Sequence, residues 1–266
     1  MIGFIGGGNM AEAIIKGIVQ SSKFKVQNEL IVSEPIEDRR KYLAQTYGIK
    51  TTSHNKEVAS ACNIIILAVK PQNMDSVLDE IADEINDKKT VVSIAAGITL
   101  SYLGSRLKTK QIIRVMPNTP ALVQEGMSVM SLCGCFFGRE VNIIKSMLMS
   151  VGRVLTLPEE QMNAVTALSG SGPAFIALFI EAMVEGGEKM GLSKADAAEL
   201  AVQTLIGTAK LLETGMSAER LRQVVTSPGG TTAAGLKVFN ERDLADIVKD
   251  ALHAAQKRAE ELGRKG

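Results

Sequence analysis

The sequence predicts an α/β fold followed by an all-α one: a mainly parallel sheet with covering helices over residues 1–157, then helices alone over 158–266. Three observations carry this. Strand-like and helix-like patterns alternate up to about residue 157, as in βαβ units. Some of the strand runs are apolar without a break, such as Ile64-Ile65-Ile66-Leu67-Ala68-Val69, which marks strands covered on both faces. After Pro158 the β signal stops.

Ile2-Gly3-Phe4-Ile5 is the first strand, and a helical pattern through Ile14, Ile15, Ile18 and Val19 follows Gly6-Gly7-Gly8-Asn9-Met10-Ala11. Gly6, Gly8 and Ala11 fit the G-x-G-x-x-G/A dinucleotide fingerprint in its strand–turn–helix setting. Gly6 permits the tight turn, Gly8 keeps no side chain between backbone and pyrophosphate, and Ala11 lets the helix pack close to the strand. The helix start, with its free amides and dipole, then faces the phosphates. This opening is that of a Rossmann domain, with Ile5, Gly6, Gly7, Gly8, Asn9 and Met10 facing the cofactor. The second strand, 30–33, ends at Ser33 and Glu34, and an acidic residue there can accept from a ribose hydroxyl. Further strands are expected at 63–69, 90–94, 111–115, 127–132 and 153–157, with helices at 37–47, 56–61, 74–86, 100–107 and 140–151.

In the second half, 162–168 reads as helix, and 173–190 is apolar almost all round, through Phe175, Ile176, Leu178, Phe179, Ile180, Met183 and Val184. Such a helix has to be buried on every face. So few helices bury little area alone, so a partner subunit completing the core is favoured over a self-contained bundle. Ser193, with Asp196 three residues on, caps a helix that stops at Gly215; Ala198, Ala201, Gly207 and Ala209 allow close helix contact along it. Helices over 218–225, 231–239 and 244–262 finish the chain.

Lys and Arg number 30 against 29 Asp and Glu in 266 residues. That balance gives no clustered basic surface for nucleic acid or an anionic membrane, and the basic end Gly263-Arg264-Lys265-Gly266 reads as a solvated tail. The first strand is expected from residue 2, with no room for a signal peptide before it, and no apolar run is expected to reach the ~18 residues that span a bilayer. Cys62 precedes an apolar strand and is expected to be buried; Cys133 and Cys135 flank Gly134. With His54 and His253 out of ligand spacing to these cysteines, no metal site is expected. A cytoplasmic, reducing setting fits this composition.

Several segments outside the fingerprint can carry chemistry. Ala68-Val69-Lys70-Pro71, Ala95-Ala96-Gly97 and Met116-Pro117-Asn118-Thr119-Pro120 lie at or just beyond successive strand ends, where parallel sheets bind their ligands. The two prolines fix the backbone around Asn118 and Thr119. Plain turn chemistry explains each segment alone; together they make a cofactor mouth. Ser169-Gly170-Ser171-Gly172-Pro173 and Thr226-Ser227-Pro228-Gly229-Gly230-Thr231-Thr232 read as Gly/Ser loops preceding helices. Either N-capping or anion binding accounts for them, and the number of hydroxyls in the second favours an anion. There is no His–Asp pair, no G-x-S-x-G elbow and no Walker lysine.

These segments, in this order and spacing, resemble the pyrroline-5-carboxylate reductases along essentially the whole chain. The quoted matches are Gly3-Phe4-Ile5-Gly6-x-Gly8-Asn9-Met10, Ala68-Val69-Lys70-Pro71, Ser93-Ile94-Ala95-Ala96-Gly97, the turn from Met116 to Ala121, Ser169-Gly170-Ser171-Gly172-Pro173-Ala174 and the segment from Thr226 to Thr232. The resemblance implies an N-terminal Rossmann domain, a C-terminal helical dimerisation domain and, in many members, rings of dimers. It implies reduction of a cyclic imine carboxylate to L-proline by NADPH. It makes Thr232 the hydroxyl at the ring nitrogen, with Ser227, Gly229, Gly230 and Thr231 around the carboxylate, Ser169 and Ser171 on the facing wall and Glu159 near the substrate. Asn55 matches a position near the adenosine ribose. Glu34 departs from an NADPH site, because it would repel a 2′-phosphate; NADH stays open, although Arg39 and Arg40 lie one turn into the next helix. Two other readings remain: a dehydrogenase of the β-hydroxyacid type, which Lys189 as the lone lysine between 162 and 190 counts against, and a non-catalytic dinucleotide sensor.

Overall fold

The structure, a computed structural model, describes residues 1–21, 29–133 and 138–263; Gly134, Cys135 and the tail from Arg264 lie outside the described residues. By its contacts the chain divides into two units, one formed by Met1–Ser171 with Ala254–Gly266 and the other by Gly172–His253.

The first unit holds one eight-stranded sheet: β1 (Ile2–Ile5), β2 (Leu30–Ser33), β3 (Lys50–Thr52), β4 (Ile64–Leu67), β5 (Thr90–Ser93), β6 (Ile112–Met116), β7 (Gly126–Leu132) and β8 (Gly152–Thr156), in the order β3-β2-β1-β4-β5-β6-β7-β8. Neighbours pair parallel except β6 with β7, which run antiparallel. Its helices are α1 (Asn9–Gln20), α2 (Glu37–Tyr47), α3 (Asn55–Ala61), α4 (Met74–Ile81), α5 (Leu100–Arg106) and α6 (Arg139–Met149), with a short α7 (Met162–Val165). Side chains alternate between two cores. Phe4, Val32, Ile66 and Val92 pack with Ile14, Ile15 and Ile18 of α1, whereas Ile5, Ile31, Ile65 and Leu67 pack with Leu78 and Ile81 of α4. That is why the central strands are apolar without a break. Cys62 is fully buried in the second core, and burial pushes its thiol pKa up.

The chain runs from β1 outward to β2 and β3, then returns to place β4 on the other side of β1. The carboxyl ends of β1 and β4 therefore flank the switch point of the sheet, where ligands of open parallel sheets bind. Sequence reasoning omits β3. Lys50-Thr51-Thr52 is a three-residue edge strand with no apolar side chain, so it carries neither periodicity nor length. The helix expected over 74–86 ends at Ile81 and tightens into a 3₁₀ turn, Ala82–Glu84.

The second unit is helical: α8 (Gly172–Lys189), α9 (Lys194–Glu213), α10 (Ala218–Val224), α11 (Thr231–Glu241) and the start of α12 (Leu244–Gly263). Ser193 Oγ accepts from the Asp196 amide at 3.1 Å, and Gly215, at φ +94°, stands just past the end of α9, as the sequence predicts. In α8, Phe175, Ile176, Leu178, Phe179 and Met183 are exposed in the single chain. The helical stretch Glu159–Lys189 is also long and apolar enough to cross a membrane, by length and composition alone, with a mean hydropathy of 1.6 in its most apolar window. This corrects the expectation that no apolar run reaches that length: Glu181 and the small polar residues interrupt the run without bringing the mean hydropathy down far enough.

Candidate functional site

The glycine turn joins β1 to α1, and its three glycines are required for different reasons. Gly6 sits at φ +97°, and a Cβ there would lie 2.7 Å from the Ala68 carbonyl oxygen. A Cβ on Gly7 would press on Leu43 at 2.7 Å. At Gly8 a Cβ would meet nothing within 4 Å, so packing within the chain does not explain that glycine. Gly8 is also the N-cap of α1 and supplies no side-chain hydrogen bond to it. An open approach to a helix start, beside the switch point, fits the pyrophosphate of a dinucleotide. Ile5, Asn9 and Met10 border this turn, and Ala68-Val69-Lys70-Pro71 follows β4 beside it, tied by the Ala68 amide donating to Ile5 O at 2.8 Å.

At the end of β2, Ser33 Oγ donates to Asn55 Oδ1 at 2.7 Å, and Asn55 Nδ2 donates to Glu80 at 2.7 Å. Glu34 is 8% exposed, and its carboxylate accepts from the Gly7 amide at 2.9 Å and from the Ile36 amide at 3.0 Å. Both oxygens brace backbone, one of them in the cofactor turn itself. Arg39 Nε donates to Gly7 O at 2.7 Å, so both main-chain polar groups of Gly7 are held by side chains. Arg39 Nη2 also meets Glu12 Oε2 at 2.5 Å, and Tyr42 and Tyr47 donate to Glu12 Oε1 at 2.8 and 2.7 Å. Burial alone would raise the Glu12 carboxyl pKa; the hydrogen bonds from Tyr47, Arg39 and Tyr42 outweigh it and hold the group below its ordinary value.

Beyond β5, Ala95-Ala96-Gly97 turns at Gly97, φ +78°, where a Cβ would come within 3.1 Å of Leu262; the close approach the structure gives this glycine is to the end of α12. Beyond β6, Asn118 Oδ1 accepts from the Met127 amide at 2.8 Å, while its Nδ2 donates to Ser169 O at 3.3 Å and Ser169 Oγ at 3.2 Å. The structure thus brings together a residue expected on the cofactor side and one expected on the substrate side. Gly170 makes this possible, since a Cβ there would press on the Met116 methyl group. The segment expected as a Gly/Ser loop is a π-helical turn, Thr166–Gly170, closed by the Ser171 amide donating to Thr166 O at 2.9 Å. It continues directly into α8, because a wide turn accommodates the two glycines and presents the serines without leaving the helix; such turns are frequent at functional sites.

Glu159 Oε1 accepts from the Leu100 amide at 2.7 Å and from Arg114 Nη1 at 3.2 Å. Arg114 is 4% exposed within β6, and the pair borders a cleft of about 930 Å³ that Thr99, Ser101 and Asn163 also line. Sequence reasoning missed Arg114. Its signal is a lone charge inside the apolar run Ile112-Ile113-Arg114-Val115, which demands a buried partner.

In the second unit, Gly229 takes φ +70°, and the Gly230 amide donates to Ser227 O at 3.0 Å. Gly230 is the N-cap of α11 and gives no side-chain cap. Thr226 Oγ1 donates back to Arg222 O at 2.6 Å, closing α10. Among the described residues, the hydroxyls of Ser227, Thr231 and Thr232 make no hydrogen bond, whereas Ser193 and Ser217 each cap their helix. Side-chain capping therefore does not account for these hydroxyls.

Comparison with known proteins decides the family. Residues 159–262 match the family described as pyrroline-5-carboxylate reductase dimerisation, and residues 1–97 match NADP oxidoreductase, coenzyme F420-dependent. A pyrroline-5-carboxylate reductase of Synechocystis is 42% identical over 265 residues, 99% of this chain and 98% of that one. The chain belongs to the pyrroline-5-carboxylate reductase family. A solved family member from Coxiella burnetii superposes with a TM-score of 0.90 at 37% identity, covering 98% of this chain and 97% of that one. The pyrroline carboxylate reductase of Plasmodium falciparum, solved with NADP bound, gives 0.88 at 30% identity over 98% and 97%. The segments quoted for the resemblance thus stand on a family likeness over nearly the whole chain.

Proposed function

We propose that this chain reduces 1-pyrroline-5-carboxylate to L-proline, the last step of proline biosynthesis, as a cytoplasmic homodimer that assembles further. The observation that carries this reading is the start of α11, where a glycine N-cap leaves the hydroxyls of Ser227, Thr231 and Thr232 without hydrogen-bond partners among the described residues. A bound NAD(P)H supplies the hydride that adds to the imine carbon. The backbone around Gly229, Gly230 and Thr231, at a positive helix end, holds the substrate carboxylate. Thr232 Oγ1 meets the ring nitrogen, which must carry a proton for the imine to accept hydride well; the family resemblance assigns Ser169 and Ser171 to substrate binding as well. Glu159, tied to Arg114 and the start of α5, lines the cleft beside Asn163 and joins the substrate side by the family resemblance. Positioning and a fixed polar pocket supply most of the rate, since no strong acid is required. A match to a dimerisation family over 159–262 supports a second copy, rather than lipid, as the cover of the exposed α8 side chains.

The test follows NADH and NADPH oxidation by the purified protein with and without pyrroline-5-carboxylate, with proline formation measured directly. Stoichiometric proline is the expected result. Dinucleotide binding with no turnover of the imine would leave a sensor.

A further inference from the structure

Dinucleotides with and without a 2′-phosphate differ by one strongly charged group on one ribose. Folds of this kind separate them at the end of the second strand, where a carboxylate accepts from the free hydroxyl and an arginine nearby accommodates the phosphate. This chain has both side chains there, and both are already engaged. Glu34 holds its carboxylate on the Gly7 and Ile36 amides, so its negative charge is fixed at the turn. Arg39 gives Nη2 to Glu12 and Nε to Gly7 O, and its guanidinium carbon lies 5.2 Å from the Tyr42 ring centroid. Glu12 is locked in turn by Tyr42 and Tyr47. Arg40 Nη1 is directed to the main-chain oxygens of Glu34 and Pro35 at 2.7 and 2.8 Å. Asn55 faces the Glu80 carboxylate.

We propose that Glu12 is a specificity-determining residue: by neutralising Arg39 it withdraws the cation a 2′-phosphate needs, and with the fixed carboxylate of Glu34 it turns the chain towards NADH. This rests on the dinucleotide site proposed above. A phosphorylated ribose has to compete with Glu12 for Arg39 and approach a carboxylate that cannot swing away, because two amides hold it. A free 2′-hydroxyl meets neither obstacle. Glu12 lies on α1, away from the end of β2 where this discrimination is ordinarily sought, and it acts through Arg39 rather than by touching the ribose.

Equilibrium binding of NADH and NADPH to the full chain, by calorimetry, tests this without any use of the imine. The wild type binds NADH the more tightly. Glu12→Gln keeps the side-chain length and an acceptor for the tyrosines but releases the Arg39 charge; it shifts the affinity ratio towards NADPH by about three- to thirtyfold. Adding Arg39→Leu to Glu12→Gln cancels that gain. Arg39→Leu alone leaves the Glu12 carboxylate without its guanidinium partner, so it moves the ratio no closer to NADPH than wild type. Tighter binding of NADPH by the wild type overturns the proposal. So does an unchanged ratio in Glu12→Gln, the signature of a purely structural brace, or a gain that survives the second substitution. A protein that binds both dinucleotides with these ratios yet leaves pyrroline-5-carboxylate unreduced fails the proposed function and not this inference.

Discussion

A methyl group added at Gly6 presses on the Ala68 carbonyl and inherits φ +97°, whereas one added at Gly8 meets open space. Gly6→Ala therefore lowers stability by about 1–3 kcal/mol, read as a fall in the denaturant midpoint. Gly8→Val costs α1 about 1 kcal/mol as a poorer cap, keeps the fold and abolishes dinucleotide binding in calorimetry. Unimpaired binding by Gly8→Val would mean the space belongs to nothing. Thr232→Val removes a hydroxyl that has no hydrogen-bond partner among the described residues while keeping shape and β-branching. The expected loss is on the order of 10- to 1,000-fold in kcat, with a smaller change in KM and less effect from Thr231→Val. Wild-type kcat in Thr232→Val would hand the ring nitrogen to another group. At this scale the fingerprint glycines and the α11 hydroxyls are legible in the sequence because their spacing states their task. The contacts of Glu34 and Arg39 with Gly7 are not, since they span 27 and 32 positions of the chain.

Helices α1 and α2 are joined through Glu12, whose folded-state pKa lies below the ordinary value of 4.5. A group depressed in this way adds stability that is fully present above the unfolded value and is lost as pH falls through the lower folded one. The wild type should therefore lose stability more steeply than Glu12→Gln below about pH 4.5, seen as two melting curves that converge on acidification. Parallel curves would remove Glu12 from the brace. Among the elements, the central strands were readable because both their faces are apolar, and α9 because Ser193 and Gly215 mark its ends. The edge strand β3 escapes because three polar residues pair through backbone alone. The π-helical turn before α8 escapes for a different reason: glycine and serine are loop residues by propensity, and contact with Met116 and Asn118 overrides it.

The single chain leaves Phe175, Leu178, Phe179, Leu200, Leu205 and Ile206 at its surface, more apolar side chains than a water-facing helical unit carries. Sedimentation at micromolar concentration should give a dimer or a multiple of one, with an interface above ~2,000 Å². A stable folded monomer would overturn the assembly. The need for a partner was legible in the sequence, from a helix apolar on all sides in a segment too short to cover it. Which side chains remain uncovered required the packing of α8 on α9.

The first unit is not continuous in the chain, since its last residues, from Ala254, follow the whole of Gly172–His253. In order of synthesis the sheet is finished early, but the segment that packs on Gly97 follows the whole of Gly172–His253. Until that segment is made, the turn after β5 stays uncovered. The first unit is therefore complete only after the sequence of the helical unit has been synthesised, and a chain that terminates before Ala254 is left without that closure.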